Sequence, residues 1–565
     1  MKNSFLNNSK NLFATLIILV AVNWLGSIYF SRFDLTQDKR YTLSQTTLNI
    51  IKTVDKPLII DVFLEGNYPP EFKRLQTETK QLLEEFSAYN SNIIVGFTNP
   101  IEDESTRVET MQEFYKNGMQ PLSITVEDKG KQSQEVVFPW AIANFGQQTT
   151  KVALLKNFMG TSTEQKVESS VQHLEFAFAE AIQKITVPKA KKIAIIKGND
   201  ELLDPYLFDF VNGIRERYFI GQFTLDSVAS QPQKTAKELR EFDLAIIAKP
   251  TQDFSEQEKQ VLDQYIINGG KTLWMLDAVK ADMDSLYNEN GAMYSFAQTL
   301  NLNDFFFKYG IRLNPLLIKD EIATPIKLAS GNLGSETQYE TYMWKYAPFV
   351  YPSTNHPIVK NIEGVKFDFT SPIELLENKE ITKTPLLQTS EYSKTVATPA
   401  QITLDEIGEE TAPDEYKNGG KFNVAVLLEG PFTSVYKNRI LPYKTSDFKE
   451  KGVSNKMIII SDGDVIKNQL NKGQPLELGY DKWTNSLFGN KEFLNNCVNY
   501  LLDDNGLINI RSKEVKLALL DKQKIHTDYT SIQLYLVGLP LIVLLLFGLV
   551  FNYNRKRKYA RKTNI

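Results

Sequence analysis

The stretch "FDLAIIAKPTQDFSEQEKQVLDQYIINGGKTLWMLD", residues Phe242–Asp277, decides the fold of the chain. Its two apolar runs, "LAIIA" and "TLWML", predict buried strands, and the segment between them predicts a helix. Ser255 and Glu258 predict a capping box at the start of this helix, and Gly269 or Gly270 predicts its end. A strand, a helix and a second strand in this order indicate a parallel sheet with right-handed crossovers.

The same alternation extends in both directions. It starts at "KKIAIIKG", after which Asp204 and Pro205 predict the N-cap and the first residue of a helix. It returns in "FNVAVLLEG" and "KMIIISDGDVI", and "NKEFLNNCVNYLLDD" predicts a last helix. We therefore predict an α/β fold class with two α/β domains, the second with a Rossmann-like or flavodoxin-like parallel sheet. The predicted domains are the first α/β domain at 56–187, the second at 188–310, a β-rich insertion at 311–420, and the return of the second domain at 421–505.

Two apolar segments flank these domains. Residues 12–30 carry no charge, and residues 532–552 are apolar over the roughly 20 residues that a membrane-crossing helix needs. Six Lys and Arg residues at 555–562 predict a cytoplasmic C-terminus by the positive-inside rule. Two spans then leave residues 1–11 and 553–565 in the cytoplasm, and the bulk of the chain is periplasmic, held at the inner membrane. A cleaved signal peptide is the alternative for the first segment.

The sequence offers little of the chemistry that catalysis requires. "NGGKTLW" is not a phosphate loop, because residue 265 is Tyr where the first glycine should stand and because a helix precedes the stretch. The three histidines are scattered, the single cysteine, Cys497, is typical of a packed helix residue, and no cluster of zinc ligands is evident. A net charge of -4 argues against nucleic acid as a partner. We predict a protein that is not an enzyme, with no catalytic residue, no metal and no cofactor.

The loop after the first strand of the second domain is a candidate ligand crevice. Such loops line the binding edge of a parallel sheet, so Gly198, Asn199, Asp200 and Glu201 could touch a ligand. The alternative is a turn followed by an acidic helix start, which suits the helix dipole.

The juxtamembrane segment 31–55 mixes charges with turn-forming residues directly after the first apolar segment. We expect its arginines to meet lipid headgroups, and Ser44 or Thr42 to cap a short helix that carries Leu48, Ile51 and Val54 onto the first domain. A second juxtamembrane connector covers residues 506–531. The residues predicted to dock a partner are Arg32, Asp34, Asp38, Arg40, Tyr41, Leu43 and Ser44.

Three stretches together resemble a known family. They are "RFDLTQDKRYTLSQTT" after the first apolar segment, the stretch at 242–277, and "INIRSKEVKLALLD" before the second apolar segment with its basic tail. In these stretches the chain is similar to the GldG family, the gliding-motility-associated auxiliary components of ABC transporters in Bacteroidetes. Members often carry a Gly-His-Gly-Glu-like stretch after the first strand of the middle domain, where this chain has "KGNDE" without the histidine. The resemblance implies two partners, a separate cytoplasmic ABC ATPase and a polytopic permease.

Three functions remain open at this point. The leading hypothesis is a non-catalytic, membrane-anchored subunit of an ABC transporter-like complex linked to gliding motility or cell-envelope transport. The second is a sensor or binding module for an envelope glycan or peptide, and the third is a degenerate or unrecognised hydrolase. The ligand or cargo is unknown from the sequence.

Overall fold

The computed structural model describes residues 12–24, 42–512 with gaps at 67, 129–130, 157, 335 and 417–418, residue 525, and residues 527–559. The chain divides into two compact units, Met1–Glu514 and Val515–Ile565, which are taken separately below. Helices and several sheets alternate in the first unit, which confirms the predicted fold class as mixed α/β.

The helices have the following bounds in chain order. They are α1 Leu12–Trp24, α2 Gln45–Lys52, α3 Pro70–Tyr89, α4 Arg107–Lys116, α5 Thr163–Thr186, α6 Asp204–Arg215, α7 Pro232–Leu239, α8 Glu256–Ile267, α9 Asn303–Tyr309, α10 Asn490–Leu502 and α11 Tyr529–Tyr559.

The strands up to the middle of the chain are β1 Leu58–Val62, β2 Ile93–Phe97, β3 Leu122–Asp128, β4 Lys131–Val137, β5 Trp140–Phe145, β6 Gln148–Ala153, β7 Lys192–Lys197, β8 Phe219–Thr224, β9 Leu244–Ala248, β10 Lys271–Met275, β11 Val279–Lys280, β12 Ala292–Ala297, β13 Ile311–Leu313 and β14 Leu316–Asp320. The remaining strands are β15 Ala323–Leu333, β16 Glu336–Val350, β17 Val365–Lys366, β18 Ile373–Leu375, β19 Thr382–Gln388, β20 Ser393–Ala397, β21 Ala400–Thr403, β22 Asn423–Thr433, β23 Lys451–Ile460, β24 Leu470–Asn471, β25 Gln474–Pro475, β26 Tyr480–Asp481 and β27 Ser486–Leu487.

A small sheet organises the first part of the chain. Its strands lie in the order β2-β1-β5-β6, with β1 parallel to β2 and antiparallel to β5. Helices α3 and α5 pack against each other, and α5 also contacts β5 and β6. Strands β3 and β4 form an antiparallel hairpin.

A nine-stranded sheet organises the larger part. Its path is β13-β18-β22-β23-β10-β9-β7-β8, and β19 also pairs with β22. The strands β23, β10, β9, β7 and β8 are parallel to one another, whereas β22 is antiparallel to β23. Numbered by their place in the chain, these five strands lie in the order 2-1-3-4-5, which is that of the flavodoxin-like doubly wound fold.

Both faces of this sheet are covered by helices. Successive residues of β7 point to opposite faces, so Ile193 packs with α6 and α10 while Ala194 packs with α7, α8 and α9. Cys497 lies on the first of these faces and is fully buried, which confirms its predicted packing role. Burial raises the pKa of its thiol well above the usual value.

The capping signals of α8 are present in the structure as the sequence predicts. The Ser255 hydroxyl accepts a hydrogen bond from the Glu258 amide at 3.3 Å, and the Ser255 amide donates to Glu258 Oε2 at 2.8 Å. Gly269 follows the helix in a left-handed conformation (φ 96°) that favours glycine. The neighbouring Gly270 must also be small, because the Tyr265 ring lies 2.3 Å from where a Cβ would stand.

The strands of the predicted β-rich insertion belong partly to the main sheet and partly to small separate sheets. Strands β13, β18 and β19 join the main sheet, whereas β14–β20 and β15–β16–β17 form small separate sheets. Strand β21 pairs with β12, which lies before the predicted insertion. Trp344, Tyr346 and Phe369 build the core of this smaller region through ring contacts.

The second unit contains α11, a 31-residue helix whose apolar stretch is long enough to cross a membrane. It includes the predicted second span and Pro540. At the other end of the chain, α1 is a shorter apolar helix, and residues 25–30 of the predicted first span lie outside the described residues. The predicted topology with two spans therefore stays a prediction.

Candidate functional site

The carboxyl ends of the central parallel strands bring polar side chains to one edge of the main sheet. Asn199 follows β7, Lys249 follows β9, Asp277 follows β10, and Asp462 and Asp464 follow β23. In doubly wound sheets this edge is where ligands bind, at the point where the strand order reverses. Here that reversal lies between β7 and β9.

The turn at 198–201 forms one side of this edge. The Asn199 carbonyl accepts hydrogen bonds from the amides of Thr251 and Gln252 at 3.0 and 3.1 Å, and the Asn199 amide donates to Glu201 Oε2 at 3.0 Å. Asn199 and Glu201 are buried, whereas Asp200 is exposed and accepts from the Thr251 hydroxyl at 2.7 Å. Burial raises the pKa of the Glu201 carboxyl. The turn is thus bonded to the loop after β9, and its role toward a ligand stays a prediction.

Lys249 is the centre of a group that we call the strand-end cluster: Lys249, Asp277, Asp282, Asp462 and Asp464. The Lys249 Nζ lies 2.5 Å from Asp464 Oδ2, 3.5 Å from Asp277 Oδ2 and 3.7 Å from Asp282 Oδ2. The carboxylates are also held by backbone amides: Gly463 donates to Asp277 at 2.6 Å, and Asp464 donates to Asp462 at 2.7 Å. The Lys249 ammonium therefore lies among several carboxylates.

The backbone geometry around Lys249 accommodates its side chain. Lys249 has a φ of 52°, which is uncommon for a residue with a side chain. A Cβ on Gly463 would stand 2.4 Å from Lys249 Cγ, so only glycine leaves room for the lysine stem at that position. The close fit indicates that the two loops are built around this ion pair.

The pKa values in the strand-end cluster diverge because of burial and charge. Burial and the nearby Asp464 raise the pKa of Asp277 to about 6, although the positive charge of Lys249 lowers it. Burial and three neighbouring carboxylates raise the pKa of Asp462 well above its usual value. Burial opposes ionisation of Asp464 as well, but Lys249 and Lys467 outweigh it and lower the pKa of Asp464. Divergent pKa values of this kind mark functional-site candidates.

A cavity of about 310 Å³, which we call the polar cavity, opens beside the strand-end cluster. Asp282 and Asp464 belong to both, and Lys366 and Lys467 add positive charge to the wall. The cavity is lined by residues of the main domain and by Ile326 and Lys327 of the small sheets. Its volume lies at the lower end of the ~300–1,000 Å³ typical of small-molecule sites.

A second cavity, of about 750 Å³, lies between the first domain and the main domain. Ion pairs and hydrogen bonds cross it, including Lys156 to Glu492 at 2.6 Å and Asn499 to Glu180 at 3.0 Å. These contacts join α10 to α5 and to the loop after β6. We interpret this region as the interface of the two domains.

Part of the predicted docking segment can be placed in the structure. Leu43 is buried at 5% exposure, and Ser44 caps α2 by accepting from the Thr47 amide at 3.1 Å. The Ser44 amide also donates to Glu175 of α5 at 2.7 Å. These two residues attach α2 to the first domain. The other predicted docking residues, Arg32, Asp34, Asp38, Arg40 and Tyr41, lie outside the described residues.

The strand-end cluster was missed by reasoning from the sequence, although a signal for it exists. "SDGD" at 461–464 and the Asp after "TLWML" both follow predicted parallel strands, so the rule that selected 198–201 applies to them equally. Within the described residues, no group of three or more His, Cys, Asp and Glu side chains is arranged to hold a metal ion.

Comparison with known proteins places this site in a family. The family described as an ABC-type uncharacterized transport system matches residues 190–497, more than half of the chain. The chain belongs to this family. The family region contains the whole strand-end cluster and every residue that lines the polar cavity. The resemblance seen in the sequence is thus confirmed at the level of a transport-system family.

Other comparisons are less specific. A domain of unknown function, DUF7088, matches residues 37–144. An uncharacterized protein of Borreliella burgdorferi is 23% identical over 572 residues, which cover 99% of each chain. The solved mmIFT52 N-terminal domain is 12% identical with a TM-score of 0.29, over 55% of this chain and 98% of that chain.

Proposed function

We propose that the chain is a non-catalytic, membrane-anchored subunit of an ABC transporter-like complex that serves gliding motility or cell-envelope transport. The observation that carries this proposal is the family match across the main domain. The apolar length of α11 supports membrane anchoring. In this proposal both termini lie in the cytoplasm, and the two α/β domains lie in the periplasm.

The partners in this proposal are a cytoplasmic ABC ATPase and a polytopic permease. The chain needs an ATPase from elsewhere, because "NGGKT" follows α8 and runs into β10, whereas a phosphate loop runs from a strand into a helix. A subunit with little chain in the cytoplasm would reach the ATPase through the permease.

Co-purification tests this proposal. We expect the full chain, extracted from its native membrane in a mild detergent and captured by a tag, to bring down an ATPase and a permease in fixed ratio. A variant lacking residues 529–565 is the control, and we expect it to lose the permease because α11 is gone. Recovery of the full chain alone in several detergents would contradict the proposal.

A second candidate is a binding module for an envelope glycan or peptide, and the polar cavity favours it. Thermal unfolding of the full chain with and without such compounds tests this candidate. A rise in the melting temperature that saturates with concentration is the expected result, because a ligand that binds only the folded state stabilises it. A melting temperature unchanged by every glycan and peptide tried would contradict it.

A further inference from the structure

The rim of the polar cavity carries two aromatic side chains that the protein leaves uncovered. Trp483 is 59% exposed and Tyr287 is 58% exposed, and both line the cavity. The backbone amide of Trp483 donates to Asp481 Oδ1 at 2.8 Å, which holds the backbone of the turn between β26 and β27. An exposed aromatic ring that lines a polar cavity offers a flat apolar surface to a ligand.

The charges inside the cavity already compensate one another. Lys366 Nζ lies 3.4 Å from Asp368 and 3.7 Å from Asp481. Lys467 Nζ lies 3.5 Å from Asp464 and 3.7 Å from Asp282. A charged ligand would have to break these pairs, and a lost buried pair is costly. The wall therefore favours a ligand without net charge.

Polar groups remain in the wall that can bond an uncharged ligand. The exposed carboxylate of Asp284 and the half-buried side-chain amide of Gln469 line the cavity. Carboxylates accept hydrogen bonds, and side-chain amides both accept and donate them. A molecule with many hydroxyl groups and an apolar ring face matches both the wall and the rim.

We propose that the polar cavity binds a neutral saccharide, with Trp483 and Tyr287 packing on the sugar ring and the cavity wall bonding its hydroxyls. The volume of about 310 Å³ suits one or two sugar units rather than a long chain. This proposal deepens the second candidate function above and rests on it.

Isothermal titration of the full chain in lipid nanodiscs tests the proposal. Nanodiscs are needed because alkyl glycoside detergents would present sugars of their own. The neutral probes are cellobiose, maltose and N,N′-diacetylchitobiose; the charged probe is digalacturonate, and the peptide probe is tetra-alanine. We expect saturable binding of at least one neutral disaccharide. No saturable binding of any neutral disaccharide up to about 10 mM would overturn the proposal.

Substitutions at the cavity rim test whether the disaccharide binds there. We expect Trp483→Ala to weaken disaccharide binding by about tenfold, because an aromatic contact of ordinary strength is lost, and Trp483→Phe to retain most of it. Tyr294→Ala is the matched control, since Tyr294 is 65% exposed and does not line the cavity. Equal weakening by Trp483→Ala and Tyr294→Ala would overturn the assignment of the site.

The charged and peptide probes separate this proposal from the function on which it rests. If tetra-alanine or digalacturonate binds and no neutral disaccharide binds, the proposal of a neutral saccharide ligand is wrong. The second candidate function would then still be supported. A melting temperature that responds to no compound at all would contradict both.

Discussion

Asp263 shows how one residue can fasten a loop to a helix. It lies in α8, is fully buried, and accepts hydrogen bonds from the Ser434 hydroxyl at 2.6 Å, the Val435 amide at 2.9 Å and the Tyr309 hydroxyl at 3.0 Å. Burial raises the pKa of this carboxyl, although the hydrogen bonds act in the opposite direction. The carboxyl is therefore the common acceptor for donors from two distant segments, the loop after β22 and helix α9.

Replacing Asp263 tests this role. Asp263→Ala leaves three buried donors without an acceptor, so we expect it to lower the free energy of unfolding by about 3 kcal/mol. Asp263→Asn keeps one acceptor oxygen and nearly the same shape, and we expect it to lose about 1 kcal/mol. Urea unfolding of the full chain measures both. Losses of the same size in the two variants would contradict a role as acceptor.

At the scale of elements, the two domains are joined by a buried ionic group. Glu492 of α10 lies 2.6 Å from Lys156 and 2.8 Å from Arg511. The side chains of Lys156 and Arg511 are 11% and 2% exposed. Burial and the nearby Arg511 lower the pKa of Lys156 to about 8, while Glu492 acts in the opposite direction. The Glu492 carboxylate thus pairs with two buried cations.

Removing this carboxylate should destabilise the contact between the domains. We expect Glu492→Gln to lower the free energy of unfolding by about 3 kcal/mol at pH 7, because two like charges stay buried without a counter-ion. Lys156→Met is the matched control: it leaves the pair of Glu492 and Arg511 intact, so we expect a loss of about 1 kcal/mol. If Lys156→Met costs as much as Glu492→Gln, packing rather than charge holds this contact.

The same group predicts a pH dependence for Glu492→Gln. A lysine whose pKa is lower in the folded than in the unfolded protein holds fewer protons when folded, so stability rises as pH increases from about 8 toward 10.5. Loss of the Glu492 carboxylate lowers the pKa of Lys156 further, since that carboxylate raises it. We expect the difference in stability between the unmodified chain and Glu492→Gln to become smaller between pH 7 and 9, as measured by thermal unfolding. A difference that stays constant over this interval would contradict the burial of a charged Lys156.

At the scale of the whole molecule, the helix in the second unit and the N-terminal apolar segment are the predicted anchors. We expect a variant lacking residues 529–565 to stay in the membrane pellet after alkaline carbonate extraction, because the first segment still holds it. A variant lacking residues 1–30 as well should be released. Release of the first variant would contradict an uncleaved N-terminal anchor, and an intact mass lacking the first segment would indicate a cleaved signal peptide instead.

Several features of the fold could be predicted from the sequence because they depend on near neighbours. The capping box of α8 joins residues three apart, and the strands β7, β9, β10 and β23 follow from uninterrupted apolar runs. The predicted N-cap of α6 is displaced by one residue: the N-cap is Leu203, so that Asp204 begins the helix.

The exposure of α8 is where reasoning from the sequence fails. Its polar residues, Lys259, Gln260, Asp263 and Gln264, are typical of a solvent-facing helix side, yet all four are buried. The loop at 434–449 exchanges hydrogen bonds with three of them, as in the reciprocal pair of Gln260 and Tyr443 at 3.0 and 2.8 Å. The fourth, Lys259, donates to Asp304 of α9 at 2.8 Å. The periodicity of a helix cannot show that a loop about 180 residues later supplies these partners.

The sequence by itself therefore determined the class of the fold, the apolar segments and the caps of α2 and α8. These depend on the periodicity of side chains and on contacts within a turn or two. Only the tertiary structure decided which strands of the predicted insertion join the main sheet, and that Lys249 meets Asp464, 215 residues away. The physical reason is that a buried charge is stable only when partners from distant parts of the chain close around it.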